Sequence, residues 1–90
     1  MKLKGKVSVI TGAARGIGRE TALLFAQNGS IVFACDVLDD DLKALENEAK
    51  GLEGSITGMH LDVTNREEIE KVTNQIKEEY SKIDILVNNA

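Results

Sequence analysis

Glycines at 12, 16 and 18 follow the apolar run Val7–Ile10 and open a helical-looking stretch, in "VSVITGAARGIGRETALLF". A strand that enters a helix through a tight glycine-rich turn presents free backbone N–H groups at the positive end of the helix dipole. A pyrophosphate set there gains several charge-assisted hydrogen bonds, and side chains would obstruct its approach. In that reading Gly12 permits the turn, Gly16 lets a diphosphate come close, and Gly18 lets the helix pack tightly on the sheet. Arg15 and Ile17 complete the loop. The spacing G-x-x-x-G-x-G departs from the commoner dinucleotide pattern G-x-G-x-x-G, and Arg19–Glu20 stand where a triphosphate loop has Lys-Ser/Thr. The competing reading is a set of glycines that only turn a βα unit.

Asp36 favours the first reading. It lies 18 residues beyond Gly18 and closes the second apolar run, where an acid meets the adenosine ribose of a bound dinucleotide. A carboxylate there accepts from both ribose hydroxyls, and hydrogen bonds to charged groups contribute about 1.5–3 kcal/mol. The same charge opposes a 2′-phosphate, so NAD is expected before NADP. Arg15 pulls the other way, because a loop guanidinium suits a 2′-phosphate; otherwise it faces solvent or partners Asp36.

These residues need a frame that alternates strand and helix. Val7–Ile10 suits a strand buried on both faces. From Gly16 to about Asn28, Ile17, Ala22, Leu24 and Phe25 form an apolar face, and Gly29 stands where a helix ends in a left-handed cap. Ile31–Cys35 is the second strand. "DVLDDDLKALENEAK" follows as a helix with acids early, Leu42, Leu45 and Ala49 on one face, and Gly51 at its close. Ser55–Leu61 is a third strand. Thr64 and Glu67 then form a capping box ahead of the stripe Ile69, Val72, Ile76 and Tyr80, and Ile83–Val87 is the fourth strand. The order β-α-β-α-β-α-β predicts an α/β fold, a doubly wound parallel sheet of the Rossmann type with strand order 3-2-1-4. Its first two helices lie on one face and the third on the other.

Composition sets the bounds. Ninety residues give one domain at most, and 42% apolar with 29% charged residues is ordinary for a globular chain. A net charge of −4 speaks against nucleic-acid or acidic-membrane partners. No apolar run approaches the ~20 residues of a membrane span, and "MKLKGK" leads into a strand rather than a signal peptide. The lone cysteine, Cys35, excludes an internal disulfide and reads as a buried small hydrophobe. A reduced, cytoplasmic setting is expected. No metal site is expected either: His60 has no spaced partners, and Asp39–Asp41 read as a helix start.

In these residues the chain resembles the classical short-chain dehydrogenases/reductases. "TGAARGIG" (Thr11–Gly18) matches the family's T-G-x-x-x-G-x-G cofactor motif, and Asp36 its NAD-selecting acid. "LDVT" (Leu61–Thr64) matches its adenine-contacting Asp-Val, and "NNA" (Asn88–Ala90) the first three residues of N-N-A-G. The resemblance implies that Gly12, Arg15, Gly16, Ile17 and Gly18 bind the cofactor. Asp62 accepts from the adenine amino group, Val63 packs on the ring, Asn89 and Ala90 border the ribose, and Asn88 ties strands together. The closest likeness within the family is to 3-oxoacyl-acyl-carrier-protein reductases and bacterial sugar or alcohol dehydrogenases. A small-molecule or acyl-carrier-linked carbonyl substrate and a homo-oligomeric parent are therefore expected.

The family's chemistry comes from a Tyr-x-x-x-Lys pair with a Ser and an Asn, all beyond N-N-A-G. The only tyrosine here is Tyr80, and the residue four later is Asp84, so no catalytic group is expected in these residues. Tyr80 reads as a helix-end core contact. The expectation is the N-terminal part of one dinucleotide-binding domain, cut within N-N-A-G, inactive by itself and unstable or self-associating through its fourth strand. A non-catalytic dinucleotide-binding module and an inactive structural fragment are the alternatives.

Overall fold

The computed structural model describes residues 2–89. Its strands are β1 (Val7–Thr11), β2 (Ile31–Asp36), β3 (Ser55–His60) and β4 (Ile85–Val87). They alternate with helices α1 (Gly16–Gln27), α2 (Asp39–Glu48) and α3 (Arg66–Tyr80). All strand pairs are parallel and the order is β3-β2-β1-β4, as expected from the element order. The register sets Val7 beside Ile31 and Ile31 beside Ser55.

Side chains alternate across a strand, and this sheet uses both faces. Ile10, Val32, Ala34 and Ile56 meet Ala22 and Ala26 of α1 and Leu42 and Leu45 of α2 in one core. Val7, Val9, Phe33 and Cys35 meet Val72 and Ile76 of α3 in the other. Burial pushes the Cys35 thiol up to about 11, with Asp36 adding to the shift, so it is a packing group and not a thiolate. Tyr80 meets Phe33 edge-on, ring centroids 5.6 Å apart, and is only half-buried.

Four local expectations are corrected. The buried face of α1 is Gly18, Ala22 and Ala26, whereas Ile17 and Leu24 are exposed, because the small residues let the helix backbone approach the sheet. Likewise Ile69 of α3 is exposed and only Val72 and Ile76 are buried. The α3 cap is not Thr64 with Glu67. Asn65 accepts from the Glu68 backbone N–H at 3.2 Å and donates to the Glu68 carboxylate at 3.0 Å. Thr64 is engaged elsewhere, donating through both its N–H and its hydroxyl to Asp62. The fourth strand begins at Ile85 rather than Ile83, since the Asp84 side chain intervenes. Its Oδ2 accepts from the Val7 N–H at 2.8 Å, in place of a ladder carbonyl.

That contact carries a pH signature. The Val7 N–H, helped by Lys82, holds the Asp84 carboxyl below the usual carboxylate range. A depressed folded pKa contributes stability that is present above the unfolded value, ~4, and is lost as pH falls through the folded value. Asp84→Asn is expected to flatten the acid limb of the stability profile while lowering stability at neutral pH. Thermal melts between pH 2 and 7 check this, and an acid limb as steep as in the wild type contradicts it.

Candidate dinucleotide site

Every candidate residue within the described part lies at or beyond the C-terminal end of a strand, as the doubly wound topology requires. The loop after β1 carries Gly12 and Gly16, both at φ 61°, in the left-handed region that glycine enters without strain. A Cβ on Gly16 would meet no atom within 4 Å, so the space before it is open. A Cβ on Gly18 would lie 2.2 Å from the Gly12 carbonyl oxygen and 2.8 Å from Asn89 Nδ2. Gly18 thus seats α1 against its own loop and the segment after β4, a tighter contact than packing on the sheet alone.

The N-terminus of α1 is electrostatically open. Its N-cap, Arg15, makes no side-chain cap, and no acid stands in the first turn. The partial positive charge of the helix end is therefore available to an external anion.

Asp36 bridges this loop to the next. Its Oδ2 accepts from the Ala14 N–H at 3.1 Å, and its Oδ1 from Val37 N–H at 2.7 Å and Leu38 N–H at 3.3 Å. These bonds orient the carboxylate, and because Oδ1 already takes two donors and Oδ2 one, the acceptor capacity left for a further donor lies on Oδ2. The Asp36–Arg15 pairing considered from sequence does not occur: Arg15 Nε lies 2.7 Å from Asp41 Oδ2.

Gly12, Asp36, Val37, Leu61, Asp62 and Val63 line one cleft of ≈ 190 Å³. Of the expected residues, four therefore meet there: Gly12, Asp36, Asp62 and Val63. Thr64 donates twice to Asp62, which holds that carboxyl below the usual range and keeps it an acceptor at neutral pH. Val37 and Val63, 48% and 38% exposed, give this cleft apolar walls. Val37 was not anticipated, although an apolar residue directly after a strand-ending acid was the available signal. Gly16 and Ile17 lie outside this cleft, along the outer side of α1.

Behind the cleft, Thr11 joins β1 to the residues after β4. Its hydroxyl donates to Asn88 Oδ1 and accepts from the Asn89 N–H, both at 3.1 Å. Asn88 thus forms the interstrand tie expected of it. Ala90 lies outside the described residues. Among the described residues, no group of three or more His, Cys, Asp or Glu is placed to hold a metal ion, and no helix is long and apolar enough to cross a membrane. His60 is instead paired with Asp39, 2.7 Å away, which holds the imidazole above its ordinary value.

Residues 6–90 match the family model described as short chain dehydrogenase. The chain is 49% identical over 90 residues to a 3-oxoacyl-acyl-carrier-protein reductase of Thermotoga maritima, all of this chain and 37% of that protein. It is 44% identical over 87 residues to an NAD-dependent glycerol dehydrogenase of Listeria innocua, 94% of this chain and 32% of the relative. Among solved structures, a metagenomic short-chain oxidoreductase in complex with NADP superposes with a TM-score of 0.94 at 30% identity. It covers the whole of this chain and 41% of its own. A hydroxysteroid dehydrogenase from Escherichia coli gives 0.91 at 36% identity, over 99% of this chain and 38% of its own. The chain spans about a third of the length of the curated relatives it matches.

Proposed function

Because the chain belongs to the short chain dehydrogenase family, we propose that it forms the adenosine- and diphosphate-binding part of an NAD(P)-dependent oxidoreductase. The nicotinamide cofactor, when bound, supplies or accepts the hydride exchanged with a carbonyl or alcohol substrate. The observation that carries this reading is Asp36, which touches the glycine loop through Ala14 and lines the same cleft as Asp62 and Val63.

Each residue then has a physical task. Gly12, Arg15, Gly16, Ile17 and Gly18 present backbone amides and the α1 dipole to the diphosphate. Asp36 accepts from a ribose hydroxyl through Oδ2, Asp62 accepts from the adenine amino group, and Val37 and Val63 pack against the ring. Asn89 borders the ribose, with Thr11 fixing its backbone. The four acids Asp36, Asp39, Asp40 and Asp41 around this end favour NAD over NADP.

The nearest substrate class is a 3-oxoacyl group on an acyl carrier, by likeness to the Thermotoga maritima reductase. Proton transfer to that carbonyl is assigned to groups outside these residues, since Tyr80 packs on Phe33 at the far end of α3. Calorimetric titration with NAD+ and NADP+, followed by a carbonyl-dependent NADH-oxidation assay, tests the reading. In a full-length protein that carries the proton-transferring groups, saturable dinucleotide binding with substrate-dependent oxidation is expected. Binding without turnover on any carbonyl would leave a dinucleotide-binding module, and no binding would overturn the assignment.

A further inference from the structure

We propose that Asp41 helps select the cofactor by sequestering Arg15, the loop cation that would otherwise receive a 2′-phosphate. The proposal rests on the dinucleotide reading above and deepens it. Arg15, Val37, Leu38, Asp39, Asp40 and Asp41 line a depression of ≈ 500 Å³, and among these described residues Arg15 is the sole cation. Val37 also lines the adenosine cleft, so the two spaces adjoin at the Asp36 end.

A guanidinium in this place is what a 2′-phosphorylated adenosine needs, a planar donor fork matched to phosphate oxygens. Here the guanidinium is already paired through its Nε. Arg15 Nε lies 2.7 Å from Asp41 Oδ2, a contact between the glycine loop and the first turn of α2, 26 residues apart in sequence. Of the neighbouring acids, Asp36 is turned to the Ala14, Val37 and Leu38 amides, Asp39 is paired with His60, and Asp40 lines the depression without an ion pair to Arg15 among the described residues. Asp41 therefore acts as a positioning residue. Its single negative charge cancels the positive charge of the loop cation where a dianion would arrive. Both side chains are substantially exposed, 75% and 37%, so the effect is screened and amounts to a several-fold change in affinity.

Equilibrium titrations with NAD+, NADP+ and the fragment 2′,5′-ADP test this in wild type, Asp41→Asn, Asp41→Glu, Arg15→Gln and the Asp41→Asn/Arg15→Gln double variant. Asp41→Asn is expected to tighten NADP+ and 2′,5′-ADP by roughly three- to tenfold at low salt, leaving NAD+ within about twofold. Asp41→Glu keeps the wild-type discrimination, and the gain disappears in the Arg15→Gln background. An equal gain without Arg15 would show a general field of charge and overturn sequestration. So would tight NAD+ binding with NADP+ affinity unchanged in Asp41→Asn. Failure of the wild type to bind either dinucleotide would instead overturn the functional reading, and this proposal with it.

Discussion

Asp36→Ala is expected to weaken NAD+ binding by roughly 10- to 150-fold, the equivalent of about 1.5–3 kcal/mol for hydrogen bonds to a charged group. The same change should ease the penalty on NADP+, because the charge opposing a 2′-phosphate is gone. Alanine alone is an unclean probe. It also leaves the Ala14, Val37 and Leu38 amides without their acceptor, and the loop between β2 and α2 loses what holds it. Asp36→Asn separates the two effects. Its remaining carbonyl oxygen can still accept from part of that amide set, whereas the negative charge is removed. If charge selects the cofactor, both variants shift the ratio of NAD+ to NADP+ dissociation constants in the same direction. If Asp36 only braces the loop, asparagine behaves like wild type and the ratio stays put. A wild-type preference for NADP+ that neither variant changes would move the selecting role to Arg15.

Gly18→Ala should damage both the fold and the site. The added Cβ falls 2.2 Å from the Gly12 carbonyl oxygen and 2.9 Å from its carbonyl carbon, and these are backbone atoms with no rotamer in which to retreat. Either α1 lifts from the loop or the loop shifts. Overpacking of this kind costs typically 1–3 kcal/mol. For a domain of 60–100 residues that corresponds to a fall in Tm of roughly 5–20 °C. Dinucleotide affinity should fall with it, because the amides of the α1 N-terminus move relative to the Gly12 turn. Gly16→Ala provides the contrast. Its Cβ meets nothing within 4 Å, so its structural cost is confined to the left-handed φ of 61°, about 1–2 kcal/mol. Binding loss beyond that strain reports the space a diphosphate occupies. Thermal melts run beside NADH titrations distinguish the pair, and a Gly18→Ala protein with wild-type Tm and affinity would refute the packing account.

The amino-acid sequence by itself pointed to the alternating α/β architecture and to most of the cleft proposed for adenosine. Apolar runs of strand length, separated by helices too long for hairpins, admit only parallel crossovers. An acid closing β2 and another following β3 then fall at the same end of the sheet, and the order β3-β2-β1-β4 sets them side by side. Gly12, Asp36, Asp62 and Val63 accordingly meet where their positions implied. What the tertiary structure decided are choices among equivalent local options. Periodicity shows that α1 has an apolar side, but Ile17 and Leu24 lost it to Gly18, Ala22 and Ala26, because close approach of helix to sheet rewards small residues over large ones. Thr64 and Asn65 are both good helix caps, and the competing bonds of Thr64 to Asp62 left the cap to Asn65. Arg15 had several acids within possible reach, and only the placement of α2 across the loop gave it Asp41 rather than Asp36. In each case a residue's type fixes what it can bond, while the partner it takes depends on the competing groups that the fold sets beside it, two residues away for Thr64 and 26 for Arg15.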